Sequence, residues 1–220
     1  MRKYLMLAAA AAAFLACGAA AASDNPALDA KVGGLARTWD HLNYQVPQSA
    51  RAAQADALAQ EADAVARQFP GRAEPLVWKA IALSTEAGAK GGMGALGLVK
   101  SAKATLEQAE KLNPNALGDG SVYTSLGSLY YQVPGFPIGF GDKAKAGAYL
   151  HKALAVNPNG LDPNYFLGDM LLRQGDYAGA EKALQKALAA PPRPGREVAD
   201  QGRKAEALAL LAKAKAKAGG

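Results

Sequence analysis

The side chains that most often carry catalysis or bind metal ions are few and scattered in this sequence. His41 and His151 are the two histidines, and neither has a partner at the spacing of a metal site. The glycine-rich run 88–97 lacks the Lys-Ser/Thr ending of a phosphate-binding loop, and no serine lies in a nucleophile-elbow pattern. The sequence therefore predicts a protein that is not an enzyme, with no cofactor and no metal site.

Residues 1–22 have the pattern of a secretory signal peptide. A short basic start, Met1-Arg2-Lys3, is followed by an apolar run, and Ala20-Ala21-Ala22 provides the small residues needed for cleavage before Ser23. In the alternative interpretation Cys17, the only cysteine, becomes the acylated first residue of a lipoprotein. We expect a periplasmic or secreted protein, or a membrane-anchored lipoprotein if Cys17 is acylated.

The excess positive charge lies at the C-terminal end. The formal net charge is +6, but residues 23–192 carry 16 basic and 16 acidic side chains, whereas residues 193–220 carry seven basic and three acidic ones. A neutral body in an exported protein argues against a nucleic-acid partner. The basic tail is either a solvated helix face or a contact for anionic lipid or an acidic partner, so membrane contact depends on this tail or on Cys17.

A helix–turn–helix pattern lies near the C-terminus and recurs upstream. In the last copy, small residues stand where two helices would touch, at Gly168 and Ala180, and Pro192 ends the second helix. A second copy runs from about Gly127 to Pro158, with seven extra residues at its turn. A third, ending at Pro114, has eight extra residues and a glycine-rich turn. These copies resemble the tetratricopeptide repeat, a helix–turn–helix unit of about 34 residues.

This resemblance implies an all-α fold: a right-handed superhelical array of helix pairs with a C-terminal capping helix. We divide the chain into the signal peptide 1–22, N-terminal helices 23–72 that form a possible degenerate repeat, and three repeats in 73–194, the first two with inserted turns. A basic capping helix follows at 195–220. Its apolar residues, among them Leu208 and Leu211, recur at helical spacing.

The resemblance also implies where a partner binds. In this family the first helix of each unit lines the concave side of the array. Carrying that geometry over gives seven candidate partner-binding residues: Lys79, Thr124, Ser128, Tyr131, Tyr165, Asp169 and Arg173. The open alternative is that Tyr165 packs between repeats and that Asp169 and Arg173 form an ordinary exposed pair.

The turn inserted after Gln132 is unusually apolar for a loop. It contains Phe136, Ile138 and Phe140 among two prolines and three glycines. These side chains either fold back as a small local core or form a rim on the concave groove.

Exported bacterial tetratricopeptide-repeat proteins are the nearest resemblance, and the T component of TRAP transporters is a more distant one. The first implies a non-enzymatic periplasmic scaffold that binds a protein or peptide. The second implies a ligand-binding accessory of a solute transporter, and Cys17 acylation would imply a structural envelope lipoprotein. An open groove favours the scaffold, whereas a pocket enclosed by Phe136 and Phe140 favours the ligand-binding accessory.

Overall fold

The computed structural model describes residues 24–219, so the predicted signal peptide, its cleavage site and Cys17 lie outside the described residues. Within 24–219 the chain forms nine α-helices and no strand, which confirms the predicted all-α class. The helices are α1 (Pro26–Tyr44), α2 (Gln48–Gln68), α3 (Glu74–Lys90), α4 (Gly92–Leu112), α5 (Ser121–Gln132), α6 (Lys143–Val156), α7 (Leu161–Gln174), α8 (Tyr177–Leu188) and α9 (Glu197–Ala218).

Local sequence signals set several of the helix boundaries. The side chains of Asn25, Asp142 and Asp176 each accept a hydrogen bond from a backbone N–H in the first turn of α1, α6 and α8. At the other end, α7 stops where Gly175 adopts a left-handed conformation, with φ of 85°. The Asn-Pro pairs at 113–114 and 157–158 end α4 and α6, as the sequence predicts.

Neighbouring helices pack as antiparallel pairs, with the closest association between α3 and α4, α5 and α6, and α7 and α8, and with α2 against α3. The predicted close contacts are confirmed. A Cβ atom on Gly127 would lie 2.7 Å from Cγ of Leu150, and one on Gly168 would lie 2.6 Å from Cγ of Leu184. Each of these two repeats therefore needs glycine at this position, because any side chain would force the two helices apart.

The turn between α3 and α4 differs from the prediction. The glycine-rich run does not form an inserted turn, since α3 continues to Lys90 and α4 begins at Gly92. The extra residues of this repeat lengthen its helices instead. Leu96 and Val99 lie in the lengthened part and pack against the central hydrophobic core, and this burial compensates for the low helix propensity of glycine.

The inserted turn of the next repeat is a true loop, but it does not form the predicted local core. Phe140 packs edge-on against Tyr130 with ring centroids 5.7 Å apart. By contrast, Phe136 is 94% exposed and Ile138 is 63% exposed. The loop holds its shape through backbone hydrogen bonds, including those from the N–H groups of Gly139 and Gly141. These backbone groups of the loop are thus hydrogen-bonded, whereas the apolar side chains of Phe136 and Ile138 point outward.

Helix α9 caps the array, as predicted, and also reaches the first helix. It packs against α7 and α8 at the end of the array and against α1. Ala199 of α9 is buried in the hydrophobic cluster of α1 and α2, and Ala207 is buried in the cluster of α7 and α8. The predicted apolar face is only partly right: Leu211 packs at the edge of the latter cluster, but Leu208 is 56% exposed.

Candidate functional site

One side of the array contains a partly open cavity of about 270 Å³, called here the central cavity. Helices α1, α3, α5 and α7 each contribute residues to its wall, so this is the concave side of the array, and α9 with the segment before it covers part of the cavity. The lining residues are Trp39, Asn43, Trp78, Ile81, Ser84, Thr85, Asp119, Ser121, Thr124, Ser125, Ser128, Gln132, Asp162, Phe166, Arg193, Arg196, Arg203 and Glu206.

Aromatic rings form the wall at the N-terminal end of the cavity. The ring centroids of Trp39 and Trp78 lie 6.2 Å apart, and Nε1 of Trp39 donates a hydrogen bond of 2.9 Å to Oγ1 of Thr85. The guanidinium of Arg196 lies 5.2 Å from the centre of the Trp78 ring. This is a cation–π contact between α3 and the segment that leads into α9.

Another part of the wall is a network of ion pairs. Asp162 accepts hydrogen bonds from Nη1 of Arg193 at 2.7 Å and from Nε of Arg203 at 2.9 Å. Burial alone would raise the pKa of Asp162, but the two guanidiniums outweigh it and hold the pKa below its usual value. Because Asp162 is on α7 and Arg203 on α9, this carboxylate fixes the capping helix over the cavity.

A second pair joins the two ends of the array. Nε and Nη2 of Arg196 each donate a hydrogen bond of 2.7 Å to the carboxylate of Asp40. Asp40 is only 3% exposed and lies on α1. Bidentate pairs of this kind combine strength with fixed geometry, so the residues just before α9 are held against α1.

Asp119, just before α5, adds a further carboxyl group to the cavity lining. Its side chain accepts a hydrogen bond of 2.9 Å from the backbone N–H of Ser121. Burial raises the pKa of Asp119 above its usual value, because the charged form is poorly solvated there. This carboxyl group is placed to accept a hydrogen bond or a positive charge from a bound molecule.

The predicted partner-binding residues lie in four separate places in the structure. Thr124 and Ser128 line the central cavity. The hydroxyl of Thr124 donates to the backbone carbonyl of Gly120, and that of Ser128 donates to the carbonyl of Ser125. Lys79 does not line the cavity and forms an ion pair of 2.6 Å with Asp63 of α2.

Tyr131, Asp169 and Arg173 form a compact cluster that does not line the cavity. The Tyr131 hydroxyl donates to Asp169 at 2.8 Å, and Nε of Arg173 donates to both oxygens of the same carboxylate at 3.0 Å. Asp169 is 6% exposed, whereas 60% of the Arg173 side chain is exposed. The pair is therefore not the fully exposed one of the alternative interpretation.

Tyr165 packs beneath α9. The guanidinium of Arg203 lies 4.4 Å from the centre of its ring, and Tyr165 joins the cluster that contains Leu210 and Leu211. Of the two interpretations of Tyr165, the structure supports the packing one. Residues 165, 169 and 173 share one face of α7, but α9 covers Tyr165. The three residues therefore do not form one continuous exposed surface.

Sequence reasoning missed the arginines that close the cavity. It assigned the positive charge of the C-terminal segment to a solvated face or to a lipid contact. A signal was available, because Arg196 and Arg203 are seven residues apart, with Ala199 between them on the same face of a helix. Arginines on the same helix face as small residues indicate that this face packs against another helix and that the arginines form ion pairs there, instead of being exposed to solvent.

A second concavity, called here the apolar groove, has a volume of about 460 Å³ and lies next to the central cavity. Its walls come from the end of α3, the start of α4, the end of α5 and the inserted loop. Leu96, Val99, Leu129 and Val133 supply apolar surface, and the exposed Ile138 stands at its edge. Of the three residues expected to form a rim on the concave groove, only Ile138 lines the apolar groove, and Phe136 and Phe140 do not.

Within residues 24–219, no cluster of His, Cys, Asp and Glu side chains has an arrangement suited to a metal ion. Every helix in the same range is too short or too polar to span a bilayer.

Comparisons with known proteins agree with this geometry. Residues 138–200, which run from the inserted loop into α9, match the family model for the tetratricopeptide repeat. The crystal structure of a thermophilic TPR protein of Thermus thermophilus has a TM-score of 0.54 and 20% sequence identity. The match covers 83% of this chain and 91% of that one. The fold is that of a tetratricopeptide-repeat protein.

A second structural neighbour is the MamA protein, whose crystal structure has a TM-score of 0.43 and 20% identity, with 84% of this chain and 92% of that chain covered. No curated protein matches this sequence. The TPR family model covers the last helix pair and parts of its neighbours, and the upstream helix pair α5 and α6 repeats the same glycine contact at Gly127.

Proposed function

We propose that this TPR protein is an exported, non-enzymatic scaffold that binds a protein or peptide partner on its concave side. The central cavity carries the proposal, because side chains from every first helix of the array converge on it. TPR arrays generally use such concave surfaces to bind other proteins. The cavity is too small for a folded domain, so the partner presents an extended segment or a chain end.

The cavity offers the partners that a peptide backbone needs. Each guanidinium of Arg193, Arg196 and Arg203 has five N–H groups and donates some of them to carboxylates of the protein, so the others can donate to peptide carbonyls. Asp119 provides an acceptor for peptide N–H groups or for a basic side chain. The rings of Trp39 and Trp78 provide apolar area for a side chain.

A second candidate function rests on the covering of part of the cavity by α9. A cavity partly covered by a helix suits a small solute better than an open groove does. In that case the protein is a ligand-binding accessory of a solute transporter. The lining combines aromatic side chains with charged ones, and neither Phe136 nor Phe140 belongs to it, unlike the apolar pocket that the sequence suggested for this function.

The proposed location is the periplasm, reached through the signal peptide 1–22, with a lipid anchor at Cys17 as the alternative. Mass spectrometry of the exported protein distinguishes the two. Cleavage before Ser23 gives an unmodified chain, whereas acylation gives a chain that begins at Cys17 and remains with the membrane fraction. A chain retained uncleaved in the cytoplasm would contradict both.

The test of the scaffold function is to fill the cavity without disturbing the fold. Ser125 lines the cavity on α5, so Ser125→Phe should abolish capture of a partner from periplasm-enriched extract. Ser101→Phe is the matched control, because Ser101 is exposed on α4 and does not line the cavity. Equal capture by both variants would contradict a partner site in the cavity, and small-molecule binding lost only in Ser125→Phe would favour the second candidate.

A further inference from the structure

The loop between α5 and α6, residues 133–142, carries two large apolar side chains that the fold leaves exposed. Phe136 is 94% exposed and Ile138 is 63% exposed. Ile138 also stands at the edge of the apolar groove, so the apolar surface continues from the loop into the groove. Exposed apolar surface of this kind marks a contact with another macromolecule or with a membrane.

The backbone of this loop is already ordered in the free protein. The N–H groups of Ile138 and Gly139 both donate to the carbonyl of Gly135 at 3.1 Å. At the end of the loop, the N–H of Asp142 donates to the carbonyl of Tyr130 at 2.8 Å. Because these bonds fix the backbone, a contact made by the exposed side chains of the loop costs little further conformational entropy.

Three lysines without an ion-pair partner lie near the base of the loop. Lys143 and Lys145 are in the first turn of α6, directly after the loop, and Nζ of Lys145 is 5.6 Å from the centre of the Tyr130 ring. Lys100 lies on α4, one turn after Leu96 of the groove wall and therefore on the same face of the helix. All three lysines are exposed, and none forms an ion pair with another described residue.

The charged side chains of this region leave an excess of positive charge. Four ion pairs cancel their own charges: Lys90 with Glu86, Lys103 with Glu107, Lys152 with Glu110, and Arg173 with Asp169. Asp142 has no ion-pair partner, and its carboxylate accepts a hydrogen bond from the backbone N–H of Lys145. Three unpaired lysines against one unpaired aspartate give a formal charge of +2 around the loop.

This charge decides which occupant suits the exposed surface. In a symmetric dimer that buries the loop, the surface faces its own copy, so the lysines of the two chains come together and repel one another. A protein partner needs a pocket that matches the exposed Phe136, whereas lipid molecules adapt to it. An anionic lipid surface also attracts the lysines, and apolar side chains flanked by lysines are typical of segments that lie in a membrane interface.

We propose that the loop 133–142 docks the protein on an anionic lipid bilayer. Phe136 and Ile138 insert at the level of the head groups, and the three unpaired lysines lie against the lipid phosphates. Binding is peripheral and reversible, because two apolar side chains bury far less surface in lipid than a spanning segment does. Neither Phe136 nor Ile138 lines the central cavity, so this contact is independent of the partner site proposed above.

The test is co-sedimentation of the protein with lipid vesicles. It uses the chain 23–220, which contains helices α1 to α9 and lacks the apolar segment 1–22 that would bind lipid by itself. The probes are vesicles of equal parts phosphatidylcholine and phosphatidylglycerol, and vesicles of phosphatidylcholine alone. We expect at least about fivefold stronger binding to the anionic vesicles. Equal binding to both kinds, or no binding to the anionic vesicles, would overturn the proposal.

Phe136→Ser/Ile138→Ser is the loop variant, and Leu112→Ser/Leu208→Ser is its matched control. Leu112 and Leu208 are 46% and 56% exposed and lie on α4 and α9. We expect the loop variant to bind the anionic vesicles at least about fivefold more weakly and the control to bind as the wild type does, with the circular dichroism of both unchanged. An equal loss in both variants would mean general adsorption of apolar side chains and would contradict a docking loop.

A second pair of variants tests the lysines. Lys100→Gln/Lys143→Gln removes two charges near the loop, and Lys213→Gln/Lys217→Gln removes two from the basic C-terminal segment. Only the first should weaken binding to the anionic vesicles. If the second weakened it instead, the lipid contact would lie on α9 and the loop would have no part in it.

Phe136→Trp places a reporter in the loop. Trp39 and Trp78 are 9% and 5% exposed, so a change in emission on adding vesicles comes from position 136. Its emission should shift to shorter wavelength with the anionic vesicles, whereas that of Leu208→Trp should not. Sedimentation equilibrium without lipid supplies the remaining outcome: a dimer that Phe136→Ser/Ile138→Ser abolishes would assign the loop to a second copy and overturn the proposal.

Discussion

Single glycines determine how closely the paired helices of this protein approach. Gly127 and Gly168 occupy equivalent positions in consecutive repeats, and each faces a leucine of the second helix. Each leucine, Leu150 or Leu184, is fully buried. The same glycine–leucine contact is therefore present in both repeats. In each helix pair, the distance between the two helices depends on glycine having no side chain at this position.

We expect Gly168→Ala to destabilise the fold by about 1–3 kcal/mol, because the added Cβ overlaps Leu184 and the core must shift to accept it. Urea denaturation followed by circular dichroism measures the loss. Gly94→Ala is the control, since that glycine is helical and open, and alanine should stabilise it by up to about 1 kcal/mol. If Gly168→Ala were neutral, the close contact would not be limiting.

At the residue scale, the sequence predicted two polar residues of the central cavity and missed the charged residues that line it. Thr124 and Ser128 lie in the cavity as the repeat geometry implied, because they are on the inward face of a first helix. Arg193, Arg196 and Asp162 were not found. Their roles depend on where α9 lies, and a sequence pattern does not specify which distant helix a charged side chain will meet.

At the scale of the elements, α9 is held in place by ion pairs as much as by apolar packing. Asp162 of α7 bonds both Arg193 and Arg203, and Asp40 of α1 bonds Arg196. The apolar contribution of α9 comes largely from alanines and the edges of two leucines. Breaking a partly buried ion pair from one side leaves the other charge without compensation, so these carboxylates matter more than surface ones.

Asp162→Asn should therefore lower the free energy of unfolding by roughly 2–4 kcal/mol at pH 7. The folded-state pKa of Asp162 is below its usual 3.8, so the wild-type advantage is fully present above that value. It is lost as the pH falls through the lowered folded pKa. The measurement is urea unfolding of both proteins at pH 7 and near pH 3.

The exposed Asp56→Asn is the control for this measurement and should change stability by less than about 0.5 kcal/mol. A difference between Asp162→Asn and the wild type that does not shrink in acid would mean that the carboxylate charge is not what stabilises α9.

The helices themselves were largely predictable. The prolines at 114 and 158 predicted the ends of α4 and α6 to within two residues, and the capping helix predicted within 195–220 is α9 (Glu197–Ala218). The glycine-rich run 88–97 was misjudged because glycine is only a weak helix breaker, costing about 1 kcal/mol against alanine. Burial of Leu96 and Val99 outweighs that cost.

At the scale of the whole molecule, the array is closed by its last helix. In an open repeat array each unit touches only its neighbours, and stability is close to a sum over units and interfaces. Here α9 contacts α7, α8 and α1, so the two ends of the array share one hydrophobic cluster. The cavity exists because of that closure, since Arg196, Arg203 and Glu206 form part of its wall.

Deletion of residues 195–220 should consequently weaken both ends of the array. It uncovers Leu161, Leu184 and Ala187 at one end and removes Ala199 from the cluster at the other. We expect a loss on the order of 3 kcal/mol or more in the free energy of unfolding and a red shift of tryptophan fluorescence, because Arg196 no longer covers Trp78.

Deletion of residues 216–220 is the control for the longer truncation. Residues 216–219 are exposed, so this variant should unfold within about 0.5 kcal/mol of the wild type. Unchanged unfolding of the longer truncation would mean that the array is stable without its closing helix.

The pair between Asp40 and Arg196 joins residues 156 positions apart. Proteins whose contacts are local usually fold quickly, whereas this contact closes a loop of more than half the chain, at an entropic cost that grows with the length of the loop. During synthesis α1 emerges from the ribosome long before α9 does. Helix α1 thus reaches its final environment only after α9 has been made.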